Sequence, residues 1–98
     1  MIKITRILKF PDMITDFFKS STEQKTILKN YKDNGSVLTD DFIDDRLTDL
    51  TATYITIWVS QEALDEFSNL PQVVDNRKNR TDFFKEHNIT ITETIEVI

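Results

Sequence analysis

The sequence predicts a single α+β domain over residues 1–98, a four-stranded antiparallel sheet with helices on one face, in the order β-α-β-β-α-β. Three observations predict it. Apolar and polar residues alternate at both ends of the chain and in a central segment, the period of a half-buried strand. Helical apolar periodicity fills two intervals between such segments, and each contains a serine placed to cap a helix. The 98 residues are 39% hydrophobic and 30% charged, which fits one globular domain and not a disordered chain.

The first strand is Ile2 to Phe10, with Ile2, Ile4, Leu8 and Phe10 on one face. From Pro11-Asp12 a helical stripe of Met13, Ile14, Phe17 and Phe18 continues through Ile27, Leu28 and Tyr31. Ser21 and Gln24 form a capping box that restarts this helix after a break at Ser20-Ser21. Asp33-Asn34-Gly35-Ser36, which holds the only glycine, is a turn or helix C-cap. Val37 to Arg46 reads as a second strand crowded with aspartates, and Thr51 to Ser60 as a third, rich in β-branched and aromatic residues. Ser60-Gln61-Glu62 caps a short helix bearing Ala63, Leu64, Phe67 and Leu70. Pro71 disfavours helical geometry at Leu70 and opens a second helical segment that runs to about His87. Asn88 is its C-cap, and Ile89 to Ile98 alternate as the final strand. This order is the split βαβ arrangement of ferredoxin-like domains.

In the third strand Ile55, Ile57 and Val59 point one way, and Ala52, Tyr54, Thr56 and Trp58 the other. In the fourth, Ile89, Ile91, Ile95 and Val97 oppose Thr90, Thr92, Thr94 and Glu96. The aliphatic sides are expected beneath the helices. The threonine-rich side carrying Tyr54 and Trp58 is expected to be open, and to be covered by a second copy of the chain or by an apolar ligand. Arg6 and Glu93 interrupt the aliphatic face in the middle of neighbouring strands and are expected to pair across the ladder. Phe17-Phe18 and Phe83-Phe84 are expected in the core, one member of each pair pointing partly outward.

Composition excludes several chemistries. Without cysteine there is no disulfide scaffold, thiolate nucleophile or Cys-ligated metal. His87 is the single histidine, too little for a His-built metal site or a Ser-His-Asp triad, so no metal and no cofactor are expected. A net charge of −5 opposes nucleic-acid binding, which rests on neutralising phosphates. No apolar run approaches the ~20 residues that span a bilayer, and the N-terminus lacks an apolar signal region, so a cytoplasmic protein without a membrane partner is expected.

Two charged runs remain. Asp40, Asp41, Asp44, Asp45 and Asp49 face only Arg46 within residues 40–49. They lack EF-hand spacing and read as a solvated strand edge, with an acidic docking surface as the alternative. Arg77-Lys78-Asn79-Arg80 fans around a helix at about 100° per residue and reads as a solvated face. In a dimer, Arg77 is expected instead to reach a pocket and hold an anionic group. His87, near a helix C-terminus, suits the helix dipole.

Tyr54-Ile55-Thr56-Ile57-Trp58-Val59-Ser60-Gln61-Glu62-Ala63-Leu64-Asp65-Glu66-Phe67 resembles the strand–turn–helix segment of antibiotic-biosynthesis-monooxygenase-like (ABM) proteins, where W-x-S-x-E-A ends the third strand and starts the next helix. Phe83-Phe84-Lys85-Glu86-His87-Asn88-Ile89 is similar to the family's approach to its last strand. The resemblance implies a homodimer whose sheets pack face to face as a dimeric α/β barrel. It further implies a small, largely apolar ligand bound at Tyr54, Thr56, Trp58 and Arg77, and cofactor-independent oxygenation of an aromatic substrate that supplies its own electrons. Haem-degrading members carry a histidine ligand where this chain has Arg77 or its neighbours, and an asparagine in the first strand, which has none here, so haem degradation is not expected. The alternative function is a non-catalytic homodimeric interaction protein that uses the sheet face for self-association and the aspartates for docking.

Overall fold

The computed structural model describes all of residues 1–98. The alternating segments become β1 (Ile2–Lys9), β2 (Val37–Asp45), β3 (Thr51–Trp58) and β4 (Thr90–Val97). Between them lie α1 (Thr22–Asp33), the single turn α2 (Arg46–Asp49), α3 (Gln61–Ser68) and α4 (Pro71–Glu86). The strands form one antiparallel sheet in the order β2-β3-β1-β4, with the helices on one face. The ferredoxin-like βαββαβ order is therefore present, with α2 added between β2 and β3. No helix is long and apolar enough to cross a membrane.

Local chemistry explains most boundaries. Ser21 Oγ accepts from the Gln24 amide and Ser60 Oγ from the Ala63 amide, each at 3.1 Å, so both serines cap helices. Pro71 opens α4 with Leu70 extended before it, as a pre-proline residue prefers. Gly35 and Asn88 follow the ends of α1 and α4 with φ of +84° and +57°, the left-handed conformation that these two residue types tolerate best.

One expected helix is absent. Residues 10–21 are irregular, and α1 starts only at Thr22. Asp12 Oδ1 accepts from the Ile14 and Thr15 amides and from the Thr15 hydroxyl, tying a tight turn that competes with helical bonding. The adjacent rings then diverge. Phe17 packs edge-on to Phe10 and Phe42, both at 5.2 Å, while Phe18 packs on Phe83. Arg46 fastens this segment from α2, its guanidinium 4.0 Å above the Phe17 ring and bonded to the Thr15 carbonyl.

The faces of β3 are the reverse of expectation. Opposite β1, Trp58 lies beside Ile2, Thr56 beside Ile4, Tyr54 beside Arg6 and Ala52 beside Leu8. Since Ile2, Ile4 and Leu8 are buried under the helices, Tyr54 and Trp58 face the helices too, and Ile55 and Ile57 lie on the uncovered side. Trp58 is only 3% exposed, whereas Val59 is 46% exposed. Both faces of β3 are apolar, so alternation alone does not choose between them. The larger aromatic pair removes more area from water and goes inside. On β4 the aliphatic residues do share the helix side, but the helices leave that strand exposed along its length.

Burial gives the expected ranking of two substitutions. Trp58→Ala should cost about 3–5 kcal/mol of unfolding free energy, and Ile55→Ala clearly less. Chemical denaturation monitored by circular dichroism measures both, and a larger loss for Ile55→Ala would place β3 the other way round.

Candidate functional site

Two apolar clusters fill the space between sheet and helices without merging. One joins Ile2, Ile4 and Trp58 to Leu64, Phe67 and Val73; the other joins Leu8, Phe10 and Ala52 to Phe84 and Ile89. At the level between them the inner face carries Arg6 on β1, Tyr54 and Thr56 on β3, and Asn76 and Arg80 on α4. These side chains cannot interdigitate as aliphatic ones do, and a cavity of about 270 Å³ remains.

Tyr54, Thr56, Trp58 and Arg77 all line this one cavity. They approach it from the helix side of the sheet and not from the open face. Trp58 packs on Phe67 at 4.9 Å and on Tyr31 at 6.2 Å, and its indole N–H donates to Thr56 Oγ1 at 3.3 Å. Tyr54 stacks on Phe42 at 4.6 Å. Arg77 donates to the Ser68 carbonyl at 3.4 Å.

The structure does not gather the five aspartates. β2 is an edge strand, and an irregularity at Leu38 leaves Asp40 and Asp44 on the helix side and Asp41 and Asp45 on the open side. Three of the five hold local structure. Asp40 pairs with Lys32, Asp44 pairs with Arg46 at 3.2 Å, and Asp49 accepts from the Thr51 amide and hydroxyl. No three His, Asp or Glu side chains converge as metal ligands.

Four further cavity residues were outside the sequence-derived site. Arg6 makes the expected cross-strand pair with Glu93, at 2.6 Å, and also lines the cavity. Asn76, 6% exposed, accepts from the Ser21 amide and donates to Ser20 Oγ, fastening the segment before α1 to α4. Gln24 Oε1 is buried without a partner, so the Ser21–Gln24 capping box is one-sided. Arg80 is half-buried. Its signal was legible: Val73, Asn76, Arg80 and Phe84 follow one another at spacings of three, four and four, the inward stripe of α4.

Arg6, Arg77 and Arg80 bring positive charge to the cavity, which Asp40 also lines. Burial pushes the Arg80 guanidinium down to about 10, with Arg6 and Arg77 adding to the effect and Glu93 opposing it. It remains charged at neutral pH. Burial also raises the Tyr54 phenol, with Arg80 opposing and Asp40 and Asp44 contributing in the same direction as burial. Tyr54 is thus a neutral hydroxyl, able to donate or accept a hydrogen bond.

The chain aligns over nearly its whole length with solved structures. A candidate antibiotic biosynthesis monooxygenase from Deinococcus radiodurans matches with a TM-score of 0.59 and 16% identity, covering 100% of this chain and 92% of that one. The chain has the ABM-like fold. SnoaB, a cofactor-independent oxygenase from Streptomyces nogalater, matches with a TM-score of 0.59 and 8% identity, over 99% and 91% of the two chains. A dimeric ferredoxin-like protein from an uncultured marine organism gives 0.57 and 5%, over 99% and 94%. No protein-family model matches the sequence, and no curated protein does.

The partly buried phenols predict an alkaline limit to stability. Tyr54, and Tyr31 through burial and its 2.8 Å bond to Glu66, both ionise later in the folded chain than the ordinary value of 10.0. The unfolded chain gives up these protons first. Their contribution is therefore fully present below pH 10.0 and is lost as pH rises through the folded-state values. Tyr54→Phe should make the fall in melting temperature above that pH shallower, and an unchanged profile would contradict the placement of the phenol.

Proposed function

We propose that the chain binds a small, largely apolar aromatic molecule in the cavity between sheet and helices and acts on it as a cofactor-independent monooxygenase. The observation that carries this reading is the convergence of Trp58 and Phe67 ring surfaces with the neutral Tyr54 hydroxyl on one cavity. Its volume of about 270 Å³ lies near the lower end of ligand pockets, roughly 300 Å³, and suits one or two fused rings. The fold it shares with SnoaB supports the reaction class, although a fold by itself hosts many activities.

The chemistry asks little of the protein. An electron-rich phenol takes one oxygen atom from dioxygen, the second oxygen leaves as water, and the ring is oxidised to a quinone. The electrons come from the substrate. Trp58 and Tyr54 hold the ring, the apolar walls keep water away, and Arg77 faces any negative charge on the substrate.

In this reading the protein is a cytoplasmic homodimer that pairs through the open sheet face. Ile7 and Ile43, 42% and 47% exposed, and the half-exposed Ile55 and Ile57 make that face more apolar than a free surface requires. The same patch favours the second reading, a non-catalytic homodimeric interaction protein.

Oxygen uptake separates the two. With naphthols and dihydroxynaphthalenes, and with a chelator present, the protein should consume one dioxygen per quinone formed, well above the buffer rate. Light scattering on the same sample should give a dimer. Binding without oxygen uptake contradicts the monooxygenase; a dimer that binds none of these phenols leaves the interaction protein; a monomer contradicts the face-to-face pairing.

A further inference from the structure

We propose that the ligand of this cavity is an anion, a hydroxylated aromatic carboxylate whose carboxylate is held by Arg80 and Arg77. The inference rests on the cavity being a ligand site, and it narrows the ligand from an apolar aromatic molecule to an aromatic acid.

The charge inventory points there. Arg6, Arg77 and Arg80 all line the cavity. Arg6 has its counterion, Glu93, at 2.6 Å. Asp40 also lines the cavity but pairs with Lys32, and Asp44 on the inner face pairs with Arg46. No ion pair includes Arg77 or Arg80. Two guanidiniums therefore border one cavity with no carboxylate assigned to either. In this overall acidic chain of net charge −5, such a local excess of positive charge is not a consequence of composition.

Position sharpens the argument for Arg80. It occupies the inward stripe of α4, between buried Asn76 and buried Phe84, where packing alone would favour another Val or Phe. Holding an unpaired charge there destabilises the empty protein. Burial, with Arg6 and Arg77 adding and Glu93 opposing, lowers its guanidinium to about 10. A planar carboxylate relieves it, meeting the guanidinium fork through two parallel hydrogen bonds where low local polarity strengthens them. A neutral ligand would leave the half-buried Arg80 charge uncompensated, whereas Arg77 is exposed and already donates to the Ser68 carbonyl. Gln24 also lines the cavity, its Oε1 is buried without a donor, and a ligand hydroxyl within reach would supply one.

Isothermal titration calorimetry with three probes tests this: 6-hydroxy-2-naphthoate, its uncharged analogue 6-hydroxy-2-naphthamide, and 2-naphthol. The acid should bind roughly tenfold or more tightly than the amide, as expected for a charge-assisted pair in a shielded site. Arg80→Met should cut most of that preference, leaving what Arg77 supplies, and, by removing an uncompensated charge while keeping the stem, raise the melting temperature of the ligand-free protein. Arg80→Lys should retain part of the preference. Equal affinity for acid and amide, or a preference undiminished in Arg80→Met, overturns the inference while binding of 2-naphthol leaves the aromatic cavity standing. Failure of all three probes to bind removes the cavity reading and this inference with it. A melting temperature that falls in Arg80→Met and in Arg80→Lys alike, with the preference intact, makes Arg80 a packing residue.

Discussion

The register of β1 between β3 and β4 is the constraint on which the rest of the molecule depends. Setting Ile2 beside Trp58 and Ile4 beside Thr56 commits the aromatic side of β3 to the helices, because Ile2 and Ile4 are already buried there. A shift of one residue would exchange every side chain between faces. The same register aligns Arg6 with Tyr54 on one neighbour and with Glu93 on the other. One row of the sheet is thereby polar on its inner face, and above it α4 contributes Asn76 and Arg80. The gap between the two apolar clusters follows from that row. Without it Ile4, Leu8 and their partners would form one continuous core.

That arrangement places the stabilising and the functional parts of the molecule side by side. The helices are secured at their starts by Ser21, Ser60 and Pro71, and the long segment before α1 is secured by Asp12, Arg46 and Asn76. These contacts surround the cavity and do not fill it. Its wall holds an unpaired carboxamide oxygen and two guanidiniums without a carboxylate, groups that make an empty site less favourable than an occupied one. A protein selected only for stability would replace them with aliphatic residues, so binding is the simplest reason for their presence.

Much of this was readable before any coordinates. The element order, the serine caps and the proline boundary follow from short-range rules that tertiary packing did not override, and the Arg6–Glu93 pair follows from β1 and β4 being neighbours in a ferredoxin-like sheet. Two features were hidden for definite reasons. The side of β3 that faces inward was ambiguous because Ile55 and Ile57 are as apolar as their neighbours, and only the pairing with β1 decides. The stripe of Met13, Ile14, Phe17 and Phe18 suggested a helix, yet the Asp12 turn and the diverging Phe17 and Phe18 rings made it a loop. Arg80 was overlooked for a different reason. Read inside the basic run with Arg77 and Lys78 it looked solvated, whereas read along the α4 stripe it stands where a core residue belongs.

The account stands or falls on which face of the sheet receives the ligand. Isotope-filtered NOE spectra of methyl-labelled protein with 6-hydroxy-2-naphthoate report that directly. The account predicts ligand contacts to the Ile4, Leu64 and Val73 methyl groups, which lie between sheet and helices. Contacts to Ile7, Ile55 and Ile57 instead would place the ligand on the open face and contradict it.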